Sequence, residues 1–219
     1  MAAYSIGVDF GTEEARALLV DLGSGREVAV EQYRYDHGVI TSRLPVDEPL
    51  IPLGTSWALQ DPDDYLRALG TALPSLLRRT GVGATDVIGV GVSFTSCTML
   101  PVTDEGMPLC TLPEFRRNPH AWVKLWKHHT PQPQARRIEG VARERSEEWL
   151  ARYGGSVSSE WLFPKILETL EEAPEVYKAA DLFVEAADWI TWKLTGVCQM
   201  SACTAGYKAF WSSQAGFPN

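Results

Sequence analysis

The spacing of polar and apolar positions changes character several times along the chain. Residues 4–9 (YSIGVD) end an apolar stretch on an acid, which predicts a strand closing at Asp9. Residues 10–14 (FGTEE) read as a turn, 15–21 (ARALLVD) as a second strand and 22–25 (LGSG) as another turn. Residues 27–35 alternate, with Val28, Val30 and Tyr33 as the apolar positions of a third strand. Three strands joined by short glycine turns predict an antiparallel meander. Residues 36–60 carry Pro45, Pro49 and Pro52 without a period and predict a long irregular connection. Asp61-Pro62-Asp63-Asp64 is a helix start: an acceptor to cap free amides, a proline for the first helical position and acids at the positive end of the dipole. Leu66, Leu69, Leu73 and Leu76 follow at helical spacing, with a kink expected at Pro74. Residues 86–93 (DVIGVGVS) predict a buried strand, and 98–103 another, closed by a turn at Asp104-Glu105-Gly106.

The second half reads differently. Residues 119 to about 152 are charged, tryptophan-rich and expected to be helical until Gly154-Gly155 breaks the run. Residues 164–180 look helical again, punctuated by Pro164 and Pro174. Leu182-Phe183-Val184 leads into Glu185 and a helix over 188–194, which Gly196 ends. Residues 201–208 (SACTAGYK) and then Phe210-Trp211 form the tail. The order of strands, helix, strands and helices predicts an α/β domain with a helical elaboration in the second half. At 219 residues, one large domain is expected.

Hydrophobic residues make up 45% and charged residues 22%, which excludes a mainly disordered chain. With 20 Lys plus Arg against 28 Asp plus Glu the net charge is -8, so duplex nucleic acid is not an expected partner. No apolar run approaches the roughly 20 residues that span a bilayer, so no membrane association is expected. Met1-Ala2-Ala3-Tyr4 lacks the basic start of a signal peptide. Cys97, Cys110, Cys198 and Cys203 form no C-x-x-C pair and are expected to be free thiols of a reducing cytoplasm, with zinc not expected.

Candidate chemistry starts at Asp9-Phe10-Gly11-Thr12, between the first two strands. A tight glycine turn there can aim backbone amides and the Thr12 hydroxyl at one point, an anion site built on a hairpin. Asp9 could hold magnesium through water, and Arg16 could add positive charge to a phosphate. The bland alternative is an ordinary hairpin. Ser93-Phe94-Thr95-Ser96-Cys97-Thr98 puts four short hydroxyl side chains in six positions at a strand end, suited to a polyol or to a loop bonding its own backbone. Trp122 and Trp126, four apart, are expected on one helical face, either stacking on a sugar or filling the core. His128-His129 is a weak metal pair, and no Ser/His/Asp triad, P-loop or GxGxxG pattern is present.

Asp9-Phe10-Gly11-Thr12 with Arg16 resembles the first phosphate motif of sugar kinases in the actin-like ATPase superfamily. VIGVGVSFTSCTMLPV (87–102), NPHAWVKLWKHH (118–129), RYGGSVSSEW (152–161), EAPEVYKAADLFVEAADWITWKLTG (172–196) and SACTAGYKAFW (201–211) narrow the resemblance to the L-ribulose-phosphorylating branch of the FGGY carbohydrate kinases. It implies a ribonuclease H-like fold, a reaction converting L-ribulose and ATP to L-ribulose 5-phosphate and ADP in L-arabinose catabolism, and ATP with Mg2+ as cofactors. It implies that residues 1–219 are the N-terminal, sugar-binding domain of a longer two-domain kinase, with the catalytic aspartate and the adenosine-binding glycines further on. No catalytic base is therefore expected in this chain, and the chain alone is expected to be inactive. Sugar-contacting positions of the family fall on Ser96 and Lys208, with Thr95 and Trp126 beside them; phosphate and magnesium positions fall on Asp9, Gly11, Thr12 and Arg16. A ketopentose and ATP are the expected partners, and a homodimer is an open expectation.

Two positions depart from the family pattern. Glu14-Ala15 stands where a small Ser-Gly pair is usual, and Ser93 where aspartate is common. Both bear on nucleotide affinity. They favour a second expectation, a stand-alone or degenerate sugar-binding or regulatory module. Xylulose or ribitol as the substrate is a third.

Overall fold

A computed structural model describes residues 3–218; Met1 and Ala2, which entered the leader reading, and Asn219 lie outside it. The elements in chain order are β1 (Tyr4–Phe10), β2 (Glu14–Asp21), β3 (Arg26–Arg34), β4 (Leu59–Gln60), α1 (Pro62–Thr80), β5 (Val87–Phe94), β6 (Met99–Val102) and β7 (Val123–Lys124). They continue with α2 (Gln132–Glu144), α3 (Trp149–Arg152), α4 (Leu162–Glu172), α5 (Pro174–Ala179), β8 (Leu182–Glu185), α6 (Ala186–Thr195) and α7 (Ala202–Lys208). No helix among the described residues is long and apolar enough to cross a membrane. The chain divides into two compact units. One runs through Val39 and resumes over Asp61–Thr95; the other takes Ile40–Gln60 and everything from Ser96.

The first unit is a four-stranded sheet in the order β3-β2-β1-β5, with the meander antiparallel as predicted and β5 parallel to β1. Ile6, Val8 and Phe10 of β1 and Ala15, Ala17 and Leu19 of β2 share the buried face. The register places Ala29 opposite Leu19 and Tyr33 opposite Ala15, so the odd-numbered positions of β3 face inward. Val28 and Val30, expected to alternate on the same footing as Tyr33, are therefore on the exposed face. Helix α1 packs on β2 and β3. Asp61 caps it by accepting from the Asp63 amide at 3.0 Å, and Gly81 closes it with φ 70°. It runs unbroken through Pro74. Its inward residues are Tyr65, Ala68, Leu69, Ala72 and Leu76, while Leu66 is exposed. Tyr65 meets the stacked rings of Phe10 and Phe94 edge-on.

The strand expected to be buried, β5, is largely exposed, with Ile88 at 70% and Val90 at 50%. It is an edge strand whose Gly89 and Gly91 carry no side chain to pack, and α1 lies over the other end of the sheet.

The second unit holds a second sheet, β4-β7-β6-β8, whose strands pair antiparallel. β4 closes the irregular connection, and β7 interrupts the stretch expected to be helical from 119. Only one 3-10 turn forms at Pro119–Ala121, capped by the Asn118 side chain on the His120 amide at 2.9 Å, and the helix proper begins at Gln132. Trp122 and Trp126 thus share no helical face. Trp122 is fully buried, its indole donating to the Arg116 carbonyl at 3.1 Å. Leu44, Leu59, Leu109 and Val176 pack with it, and a separate aromatic cluster gathers Trp149, Tyr153, Trp161 and Phe163 around Phe210.

Candidate functional site

In the first unit, Gly11 makes the turn after β1. Its amide donates to the Glu14 carbonyl at 2.9 Å, and a Cβ there would lie 3.0 Å from that same oxygen. The Tyr35 hydroxyl donates to the Gly11 carbonyl at 3.2 Å and fixes the turn from the other side. Strand register sets Asp9 between Arg16 on β2 and Ser93 on β5. These three side chains line one open groove of about 350 Å³, floored by Gly7 and Gly91. The structure thus brings together Asp9 and Arg16, with Gly11 and Thr12 next along the chain. It also turns Glu14 onto Arg16, at 2.9 Å, so the guanidinium is already paired. Thr95 follows β5, its amide donating to the Phe10 carbonyl at 3.1 Å.

In the second unit, Ser96 and Lys208 lie beside Cys97. Cys97 is buried and holds a left-handed backbone, φ 67°. Its sulfur lies 4.0 Å from the Ser96 hydroxyl. Burial pushes the Cys97 thiol up, while the ammoniums of Lys208 and Lys165 act against that rise. Lys208 ends α7 with its ammonium over the Tyr207 ring, 5.0 Å from the centroid. Trp126 sits in the loop after β7, at the boundary of exposure. Asp188, in the first turn of α6, ties down the start of α7 by accepting from the Ser201 amide at 3.1 Å and the Thr204 hydroxyl at 3.0 Å.

The sequence reading missed the charged groups beneath these loops. Lys165 on α4 is fully buried, and its ammonium donates to the carbonyls of Cys97 at 2.5 Å and Leu125 at 2.8 Å. Glu185, at the end of β8, accepts from the Cys97 amide; burial pushes its carboxyl up to about 7 against the pull of Lys165. A second cluster joins Lys124 to Glu168 at 2.6 Å, Thr169 at 2.8 Å and His120 at 3.2 Å. His128 accepts from the Ala58 amide at 3.2 Å through Nδ1, which leaves its Nε2–H for Glu168, also at 3.2 Å. Thr130 donates to the other oxygen of Glu168. Burial lowers His128 to about 4 and His120 to about 3, so both rings are neutral at pH 7. His128 is thus a buried hydrogen-bond bridge, and among the described residues no three His, Cys, Asp or Glu side chains gather as a metal ligand set. The signal that could have found these residues is the spacing Lys165, Glu168, Thr169, one helix face at i, i+3 and i+4.

Residues 4–211 match the N-terminal domain of the FGGY family of carbohydrate kinases. The chain belongs to that family. It is 51% identical over 216 residues to a ribulokinase of Halalkalibacterium halodurans, covering 99% of this chain and 38% of that protein. It is 50% identical to a ribulokinase of Mycolicibacterium smegmatis over 94% of this chain and 36% of that one. The chain thus spans less than two-fifths of the length of these FGGY relatives. Its fold is that of the sugar kinases: the xylulose kinase of Rhodospirillum rubrum superposes over 92% of this chain with a TM-score of 0.65 at 22% identity. A glycerol kinase of Plasmodium falciparum solved with ADP does so over 95%, with a TM-score of 0.60 at 13% identity. As an FGGY chain, it has the expected α/β fold of the actin-like ATPase and sugar-kinase class, with its helical elaboration in the second unit.

Proposed function

We propose that this chain is the sugar-recognition domain of an ATP-dependent kinase that phosphorylates L-ribulose. The observation that carries this is 48 to 51% identity to ribulokinases over 99 to 100% of the chain. The site chemistry supports it. Lys208 offers an ammonium with up to three hydrogen bonds to ketose oxygens, Ser96 and Thr95 offer hydroxyls, and Trp126 offers a flat ring for sugar C–H groups. Asp9, Gly11, Thr12 and Arg16 supply the phosphate side of this reading. The groove around Asp9 fits a hydrated Mg2+, because it presents a carboxylate and the Ser93 hydroxyl above a floor with no side chains. Magnesium would neutralise phosphate charge; Asp9 would hold it through water, and Arg16 reaches a phosphate only by leaving Glu14.

No residue of this chain is assigned as the base that deprotonates the sugar hydroxyl. The 219-residue chain is therefore expected to bind sugar without transferring phosphate. The four thiols are free, Cys97 and Cys110 buried and Cys198 and Cys203 exposed, and a cytoplasmic location is part of the same proposal.

The test is calorimetric titration of L-ribulose into the chain and into Lys208→Ala. Losing a charge-assisted hydrogen bond of about 1.5–3 kcal/mol should weaken binding roughly 10- to 100-fold. Equal affinity of the two proteins would overturn the assignment. Sedimentation of the same samples reads whether the chain self-associates.

A further inference from the structure

Besides Leu162 and Pro164, helix α4 buries charged groups that stability alone does not call for. It buries Lys165, Glu168 and Thr169 while Leu170 on the same helix is 41% exposed. Burying an ammonium costs several kcal/mol after relaxation, and a well-packed apolar side chain of similar size usually serves stability as well or better. The arrangement calls for a reason other than packing.

That reason lies in what Lys165 touches. Its three N–H bonds go to backbone carbonyls from two different loops: Cys97 at 2.5 Å, Leu125 at 2.8 Å and, more weakly, Lys124 at 3.4 Å. Cys97 follows Ser96, and Leu125 precedes Trp126. The same residue is held at its amide by the Glu185 carboxyl. A non-glycine residue in the left-handed region is costly and persists only where its surroundings impose it. Here the buried Lys165 ammonium and the buried Glu185 carboxyl grip the two ends of one residue. Two unfavourable features, buried titratable groups and a left-handed non-glycine backbone, coincide at the loop that carries Ser96.

We infer that Lys165 is a positioning residue for sugar recognition: its buried ammonium ties the Ser96-Cys97 backbone to the Leu125-Trp126 backbone and so sets the spacing between the Ser96 hydroxyl and the Trp126 ring. This rests on the proposal that Ser96 and Trp126 contact the sugar. Lys165 itself is fully buried and meets no ligand. Its effect on affinity passes entirely through the two loops.

The experiment is a double-mutant cycle read by the dissociation constant for L-ribulose, using wild type, Lys165→Met, Trp126→Ala and the double variant, with the fold of each checked by circular dichroism and melting. Lys165→Met should weaken binding about 10-fold or more, since small misplacements of binding groups are that costly. In the Trp126→Ala background the same change should add far less, because the ring it positions is gone. A purely structural lysine would give independent effects that multiply, and that result overturns the inference. Where Lys165→Met fails to fold, Lys165→Arg carries the test. It keeps the charge and can still donate to carbonyls, but its planar fork changes the loop spacing. A folded Lys165→Arg with weakened L-ribulose binding supports positioning; one that binds like the wild type overturns it. Should Ser96→Ala and Trp126→Ala both bind L-ribulose normally, the sugar site itself is misplaced, and the inference falls with it.

Discussion

Replacing Lys124 with methionine is the sharpest test of how the second unit is held together. The Lys124 ammonium is buried with hydrogen bonds to Glu168 at 2.6 Å, Thr169 at 2.8 Å, the Lys165 carbonyl at 3.2 Å and His120 at 3.2 Å. Methionine fills a similar volume, so packing changes little. What changes is that the Glu168 carboxylate, itself fully buried, keeps only neutral donors in His128 and Thr130. Breaking a buried pair by removing one partner costs about 3–5 kcal/mol, because the other charge is left uncompensated. Against a total of about 5–15 kcal/mol, that is a large fraction of the stability of the chain. For a chain of this size, it corresponds to a fall in Tm of about 6–20 °C. Urea unfolding followed by circular dichroism reads it as a lower midpoint with an unchanged slope. Lys124→Met/Glu168→Leu removes both charges and should cost at least about 0.5 kcal/mol less than the two single changes added together. A loss below about 1 kcal/mol for Lys124→Met, or strict additivity in the double variant, would refute the reasoning.

Two further outcomes follow from the same geometry. His128 and His120 are lowered to about 4 and about 3, mainly by burial, so the folded protein keeps both rings neutral while the unfolded chain protonates below about 6.5. Their contribution is complete above pH 6.5 and falls as pH drops toward 4, by up to about 1.4 kcal/mol per pH unit for each ring; NMR titration midpoints near 6.5 for these two imidazoles would contradict it. Glu14→Ser removes a partly exposed pair with Arg16 and should change stability by less than about 1 kcal/mol in urea unfolding; a larger loss would show that the pair holds the turn.

The first unit was legible because its signals are local. Alternation and glycine turns gave the meander, and Asp61-Pro62 and Gly81 bracket α1. Its errors come from partners that periodicity does not see. Val28 and Val30 look like core residues until the β2 register sets Tyr33 and Ala29 on the inner face instead. The stretch 119–131 failed because long-range pairing overrode local composition. Lys124 sits opposite Leu59 and Met99, which are 65 and 25 positions away, and no window contains both. Asp9, Arg16 and Ser93 were readable as candidates, and strand register brings them to one groove. Lys165 and Glu168 were missed despite their shared helix face, because the apolar positions of α4 draw attention to Ile166, Leu167 and Leu170, whereas the helix buries the two charged residues together with Leu162 and Pro164.

The two units therefore use polar residues in opposite ways, and this predicts where each tolerates change. In the first unit, Asp9, Arg16 and Ser93 stand on an open sheet face where water solvates them, so the charges of Asp9 and Arg16 add little to stability. In the second, Lys124, Lys165, Glu168 and Glu185 are desolvated, and each is acceptable only with its partners in place. A substitution at the groove should act on binding alone. A substitution at Lys165 or Glu185, beneath the Ser96 and Trp126 loops, should act on folding and binding together, because the hydrogen bonds that satisfy these two groups are the ones that fix the loop backbones.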